Sequence, residues 1–290
     1  SRFYHSLIAQ FRLQLLPNPL VERSHMLEPL PTLRRPEKPA PAFARGLPAR
    51  SAFVWLKAGW TDFCTNPGTS LAYGVFLLLL SYVVLWALAA TGLLYLALPA
   101  IAAFLIIGPF LALGLYEKSR LLEQGQRISL SRMLLVRPAS PGQLAYAGLL
   151  LGLLVLFWLR AADLLYALFF GLSPFPGAED AFANVLTTGQ GWALILVGGA
   201  VGALFAGFAF ALSLFSIPMM LSARRDALTS LGTSFAMTFQ NLPVTLTWGA
   251  IVAVGLLIGI GTGFLGLVIV FPVLGHGTWH AYRAIQKSAK

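Results

Sequence analysis

PGTSLAYGVFLLLLSYVVLWALAATGLLYLALPAIAAFLIIGPFLALGLY, residues 67–116, carries no Asp, Glu, Lys or Arg, and the charge-free run around it extends from Phe63 to Tyr116. A membrane-spanning helix needs about 20 mainly apolar residues, within a range of about 17 to 25. The stretch is therefore long enough for two crossings. Charge-free runs recur from Ala181 to Ala223 and from Ala227 to Tyr282. With the apolar segment that follows Leu144, they predict an all-α, polytopic transmembrane bundle of six helices, at about 71–96, 99–116, 144–170, 191–217, 244–260 and 263–281.

The breaks between these helices have local causes. Pro99 falls at the start of the second, where its missing N–H costs least, and Gly259-Ile260-Gly261-Thr262-Gly263 permits a tight reversal between the fifth and sixth. Residues 172–190, with Glu179 and Asp180, read as the one substantial outer loop.

Composition agrees. Of 290 residues, 58% are hydrophobic and 10% charged, against roughly 25% charged in ordinary soluble domains, which excludes a water-soluble globule. The single cysteine, Cys64, excludes a multi-cysteine metal or iron–sulfur site within this chain. The net charge of +10 comes from 20 Lys and Arg against 10 Asp and Glu. Nine of those cations precede residue 58, five lie between Lys118 and Arg137, two are Arg224 and Arg225, and three are Arg283, Lys287 and Lys290. Six crossings put all of these on one face, and the positive-inside rule makes that face cytoplasmic. The expectation is a multi-pass protein of the bacterial inner membrane with both termini in the cytoplasm, no cleavable signal peptide, and no nucleic-acid partner.

Residues 1–50 are expected to form a basic arm ahead of a transmembrane domain of residues 51–290. Phe3, Leu7, Phe11 and Leu15 recur at helical spacing and read as an amphipathic helix that docks on a leaflet or a partner. Eight prolines between Pro17 and Pro48 then make a stiff extended segment. Amphipathic interfacial helices are expected at Ser51–Cys64, with an apolar stripe of Phe53, Leu56, Trp60 and Phe63 and with Lys57 and Asp62 off it, and ahead of helix five, with a stripe of Leu228, Leu231, Phe235 and Phe239. The charged, leucine-rich segment from Lys118 to Arg137 is the third of its kind. Helix starts at Asn66-Pro67, Pro141 and Asn241-Leu242-Pro243, and helix ends marked by Pro109, Pro218 and Pro272, suggest three copies of a surface segment followed by a hairpin.

Charges well inside a predicted span are confined to Arg160 and Asp163, three apart and so neighbours on one helix face. An intramembrane ionisable residue is a functional candidate by default. At 1.5 Å per residue from Leu144, however, Arg160 lies about 24 Å into a core about 30 Å thick, where it can snorkel outward and pair with Asp163. His276 and His280 lie at i and i+4, a spacing that can place two imidazoles on one metal, although interfacial anchoring and hydrogen bonding to the surface helices is the plainer reading, with a lipid or quinone headgroup as an alternative. Glu117, Arg120 and Arg283 complete the candidate polar positions. The chain carries no Gly-rich phosphate loop, no HExxH and no G-x-S-x-G. A non-enzyme without a cofactor, retaining bound phospholipid, is the expectation.

Several short motifs resemble the bacterial integral membrane family catalogued as domain of unknown function 2189. They are Trp55-Leu56 with Gly59-Trp60-Thr61-Asp62, Ser70-Leu71-Ala72-Tyr73-Gly74, Gly108-Pro109 leading to Gly114-Leu115-Tyr116-Glu117-Lys118-Ser119-Arg120, Glu123 with Gly125, and Gly275-His276 through Arg283. The resemblance implies a membrane topology and transfers no catalytic residue. The arm before residue 45 is additional to the family pattern. The function expected from these features is a non-catalytic accessory subunit of a larger inner-membrane complex, respiratory or otherwise energy-transducing, in contact with lipid and other membrane subunits. A small-solute or ion transporter and an assembly or lipid-handling factor are the alternatives.

Overall fold

The computed structural model describes residues 43–171 and 178–287. The chain divides into two units, 1–40 and 41–290, and all described residues fall in the second. Phe3, Leu7, Phe11 and Leu15 lie outside the described residues. Among the described residues every regular element is helical: α1 (Ser51–Cys64), α2 (Pro67–Ala90), a 3-10 turn (Leu94–Leu96), α3 (Ala97–Leu111), α4 (Leu113–Glu123), α5 (Leu130–Leu134), α6 (Pro141–Phe170), α7 (Ala178–Thr187), α8 (Gly189–Ser222), α9 (Ala227–Gln240), α10 (Leu242–Gly261) and α11 (Leu267–Lys287).

Five segments are long and apolar enough to cross a membrane: α2, the α3–α4 stretch from Pro99 to Glu123, α6, α8 and α10. The sixth expected span is α11. It has 21 residues, but its apolar run stops at Leu274 and its second half, HGTWHAYRAIQK, is polar and aromatic. That half is packed against α1 and α4. The expected outer loop also differs, since α7 occupies part of it.

Helix starts follow the sequence signals. Pro67 and Pro141 stand in the first turns of α2 and α6, and Pro243 in that of α10, where a missing N–H costs nothing. Asn66 adopts a left-handed φ of 59° before α2, a conformation Asn tolerates better than most residues. Thr188 and Asp226 cap α8 and α9 through their side chains.

Pro109, Pro218 and Pro272 each lie inside a helix. A proline there removes one backbone hydrogen bond and displaces its neighbours, and in an apolar setting the exposed groups must find other partners. The Tyr73 hydroxyl donates to Leu111 O at 2.8 Å. Ser234 donates to Ala211 O at 2.8 Å and accepts from Phe215 N at 3.0 Å, so it enters the backbone ladder of α8 just ahead of Pro218.

The order of surface helix, long helix and proline-bearing helix recurs three times, through α1–α2–α3, α5–α6–α8 and α9–α10–α11. Pairing into three hairpins is not uniform. α6 packs on α8 and α10 on α11, but α2 packs on α11 while α3 packs against α6 and α8. The cause is a notch at Gly74: a Cβ there would strike the backbone of Val268, so α2 sits directly on α11 and away from its own return helix.

The surface helices divide their expected apolar stripes between the protein body and the surface. α1 buries Ala52, Trp55, Gly59 and Phe63, while Phe53 and Trp60 of the expected stripe are exposed. α9 buries Ser230, Leu231, Ser234 and Thr238, and its Leu228, Phe235 and Phe239 face outward. Small and hydroxyl-bearing residues share the inward faces with Trp55, Phe63, Leu231 and Met237, and the small ones allow the close approach common in membrane helix packing.

Candidate functional site

The polar half of α11 is held by three other elements. Gly59 of α1 meets the backbone of Val273 and Gly277, Gly275 meets Leu115 of α4, and Gly277 meets Trp248 of α10 and the backbone of Trp55. At Gly59 a side chain would strike backbone, so hydrogen alone fits there. Close approach brings the polar side chains of α1, α2, α4 and α11 into one buried junction.

Lys118 is at its centre, with no solvent exposure. Its Nζ donates to Ser70 Oγ at 2.8 Å and to Asn66 O at 3.0 Å. Ser70 Oγ lies 2.9 Å from His276 Nε2, and His276 Nδ1 lies 2.9 Å from Ser119 Oγ and 3.1 Å from Leu115 O. A carbonyl only accepts, so the proton of a neutral His276 sits on Nδ1 and its Nε2 accepts from Ser70. Ser119 also acts on the carboxylate of Asp62, whose Oδ2 is 2.8 Å from His280 Nε2. The donors then run in one direction, from Lys118 through Ser70, His276 and Ser119 to Asp62, with His280 donating to Asp62 from the other side.

Burial pushes the Asp62 carboxyl upward, and the hydrogen bonds from His280 and Ser119, aided by charge attraction, overcome it and hold the group below its ordinary value of 3.8. Two ion pairs lie on the flank of the junction. Arg120 grips Glu117 in a bidentate pair at 2.7 and 2.8 Å, and Arg283 Nε approaches Glu123 at 3.0 Å.

Of the residues singled out from sequence, His276, His280, Glu117, Arg120 and Arg283 come together here. The two imidazoles share one face of α11 as expected, but as members of a hydrogen-bond chain inside the protein, with both nitrogens of His276 engaged. Arg160 and Asp163 lie apart on α6. They pair at 3.3 Å, and Arg160 remains largely exposed. Ser70, Lys118 and Ser119 were legible only as letters of motifs, and Asp62 only as a residue off the apolar stripe of α1. The signal for all four was the set of glycines Gly59, Gly74 and Gly114, where one chain segment meets the backbone of another, together with Gly275 against Leu115.

A second feature lies beside the junction. An apolar cavity of about 780 Å³ opens between the α3–α4 break and α8, α9, α10 and α11, bordered by Phe104, Pro109, Gly207, Phe239 and Leu246 among others. A smaller one of about 390 Å³ lies between α3, α6 and α8 near Trp158, Asp163 and Gly202.

Residues 97–222 match the family model DUF2189, described as a predicted integral membrane protein. The match covers somewhat less than half of the chain and includes the Gly108-Pro109 and Gly114–Glu123 motifs of the junction; Trp55–Asp62, Ser70–Gly74 and Gly275–Arg283 lie outside it. No curated protein and no solved structure matches the chain.

Proposed function

On the premise of that match to an integral membrane family, we propose that the chain is a non-catalytic accessory subunit of a larger assembly in the bacterial inner membrane, with both termini cytoplasmic and α11 completing a sixth crossing. One observation supports this reading above the others: Lys118, Ser70, His276 and Ser119, and Asp62 with His280, find hydrogen-bond partners on one another across α1, α2, α4 and α11, so their chemistry serves to lock these helices together. A transport path would instead need polar groups facing a route through the middle of the spans. The outward surfaces fit a subunit, since no more than 29% of the most apolar window of any spanning segment is buried within the chain.

Cation placement supports the orientation, because six crossings gather Lys118, Arg127, Arg132, Arg137, Arg224, Arg225 and Arg283 on one side. The test is mild-detergent extraction from native membranes, followed by native gel electrophoresis of the tagged full-length chain. Migration with a stable set of other membrane proteins is expected. Migration as the bare chain at every detergent tested would overturn the subunit reading.

A further inference from the structure

We infer that the 780 Å³ cavity is a binding site for one acyl chain of an anionic phospholipid from the cytoplasmic leaflet, with the headgroup phosphate met by Arg45 and Arg50. The cavity size falls within the range of about 300–1,000 Å³ typical of small-molecule sites. Its walls are apolar side chains of spanning helices, and the hydroxyls of Thr245 and Thr278 that border it are turned back onto Thr238 O, Asn241 O and Leu274 O. Such a lining suits a hydrocarbon chain and offers no seat for a headgroup.

The shape selects the occupant further. Lining residues on α10 run from Leu242 to Leu256, a rise of about 21 Å. That reaches from the interfacial helix α9 past the midplane of a hydrocarbon core about 30 Å thick. An extended acyl chain is thin enough to lie along that length against the apolar lining.

Charge sets the headgroup. The inner end of the cavity is bordered by Phe239 and Leu242. The chain ahead of α1 passes over the residues between these two: Gly46 N donates to Gln240 O at 3.1 Å, and Leu47 N to Asn241 Oδ1 at 3.1 Å. That segment carries Arg45 and Arg50, both exposed, and no acidic residue from Phe43 to Lys57. Cations at this level of a membrane protein attract anionic lipid. The inference goes beyond the subunit reading and can fail without it.

The test uses the full chain, delipidated in detergent, titrated with phosphatidylglycerol or phosphatidylcholine and read by native mass spectrometry. Gly207→Phe and Gly108→Leu place side chains at the cavity lining from α8 and α3, and neither position has a neighbouring atom within 4 Å of a new Cβ. Gly152→Phe on α6, equally open and away from the cavity, is the control. The expected result is one phosphatidylglycerol bound about tenfold more tightly than phosphatidylcholine. Either cavity-filling variant, if it elutes as a folded species, should lose it, and Gly152→Phe should keep it. Replacing Arg45 and Arg50 by Ala should erase the preference between the two lipids. Equal affinity for both lipids, retention of lipid by a folded filled variant, or a second polypeptide in place of lipid would each overturn the inference.

Discussion

At the scale of single residues, the junction shows a fully buried cation, Lys118, held by a hydroxyl and a carbonyl. Ser70 is its pivot, since it accepts from Lys118 and donates to His276 with one hydroxyl. Ser70→Ala should lower thermal stability in detergent by about 1–3 kcal/mol, the cost of leaving buried polar groups unanswered, whereas Ser131→Ala on the exposed α5 should change it little. Asp62 adds a pH dependence of definite sign. Its carboxyl is held below 3.8 in the folded protein, so its contribution is complete above that value and is lost as pH falls through the lower, folded value. Unfolding temperatures of the natural chain should therefore decline at acid pH below about 4, and Asp62→Asn should show a smaller decline with a lower plateau near neutrality. Identical profiles for the two proteins would remove Asp62 from the junction. The Asp62–His280 contact was out of reach of the sequence because 218 positions separate the partners, and periodicity in α1 speaks only of its apolar stripe.

At the scale of elements, the sequence located helices well and faces poorly. Charge-free length marks a span, and Pro67, Pro141 and Pro243 mark the starts of α2, α6 and α10, so the succession of helices was legible. The stripes Phe53–Trp60 and Leu228–Phe239 were equally visible, but in a bilayer the large apolar face turns to lipid. The packed faces mix Gly59, Ser230 and Ser234, residues with weak hydrophobic signal, with Trp55, Phe63, Leu231 and Met237. The departure from a hairpin by α2 and α3 had one letter behind it, Gly74. Putting Val there would drive a side chain into the backbone of Val268, and overpacking of this kind costs about 1–3 kcal/mol, occasionally more. Gly74→Val should separate α2 from α11, read as a clearly lower unfolding temperature in detergent. Gly142→Val, at an open position, should leave that temperature nearly unchanged.

At the scale of the whole molecule, the junction and the cavity depend on how distant helices meet and left no local pattern in the sequence. The junction of the arm with the helical body shows the same limit. Composition changes near residue 50, where the prolines end, yet the chain is fastened earlier. Phe43 and Ala44 are buried, Ala44 N donates to Ile285 O at 3.0 Å, and Asn241, wholly buried, gives Nδ2 to Ala44 O at 2.9 Å and accepts from Leu47 N at 3.1 Å. Two truncations therefore have different outcomes. Removal of residues 1–40 takes away none of these contacts, so the remaining chain should insert and melt within a degree or two of the natural protein. If the arm docks on a neighbour, that truncated form should leave the large assembly on a native gel. Removal of residues 1–47 strips the burial of Phe43, worth about 1.5–3 kcal/mol, and takes from the Asn241 amide its bonds to Ala44 O and Leu47 N, leaving Nδ2 on Met237 O, at a further cost of about 1 kcal/mol per bond. The longer truncation should unfold at a clearly lower temperature in detergent. Equal melting of the two forms would mean that residues 43–47 contribute nothing to the body. Comigration of the 1–40 truncation with the intact complex would remove the arm from the subunit contact and place that contact on the exposed spanning helices.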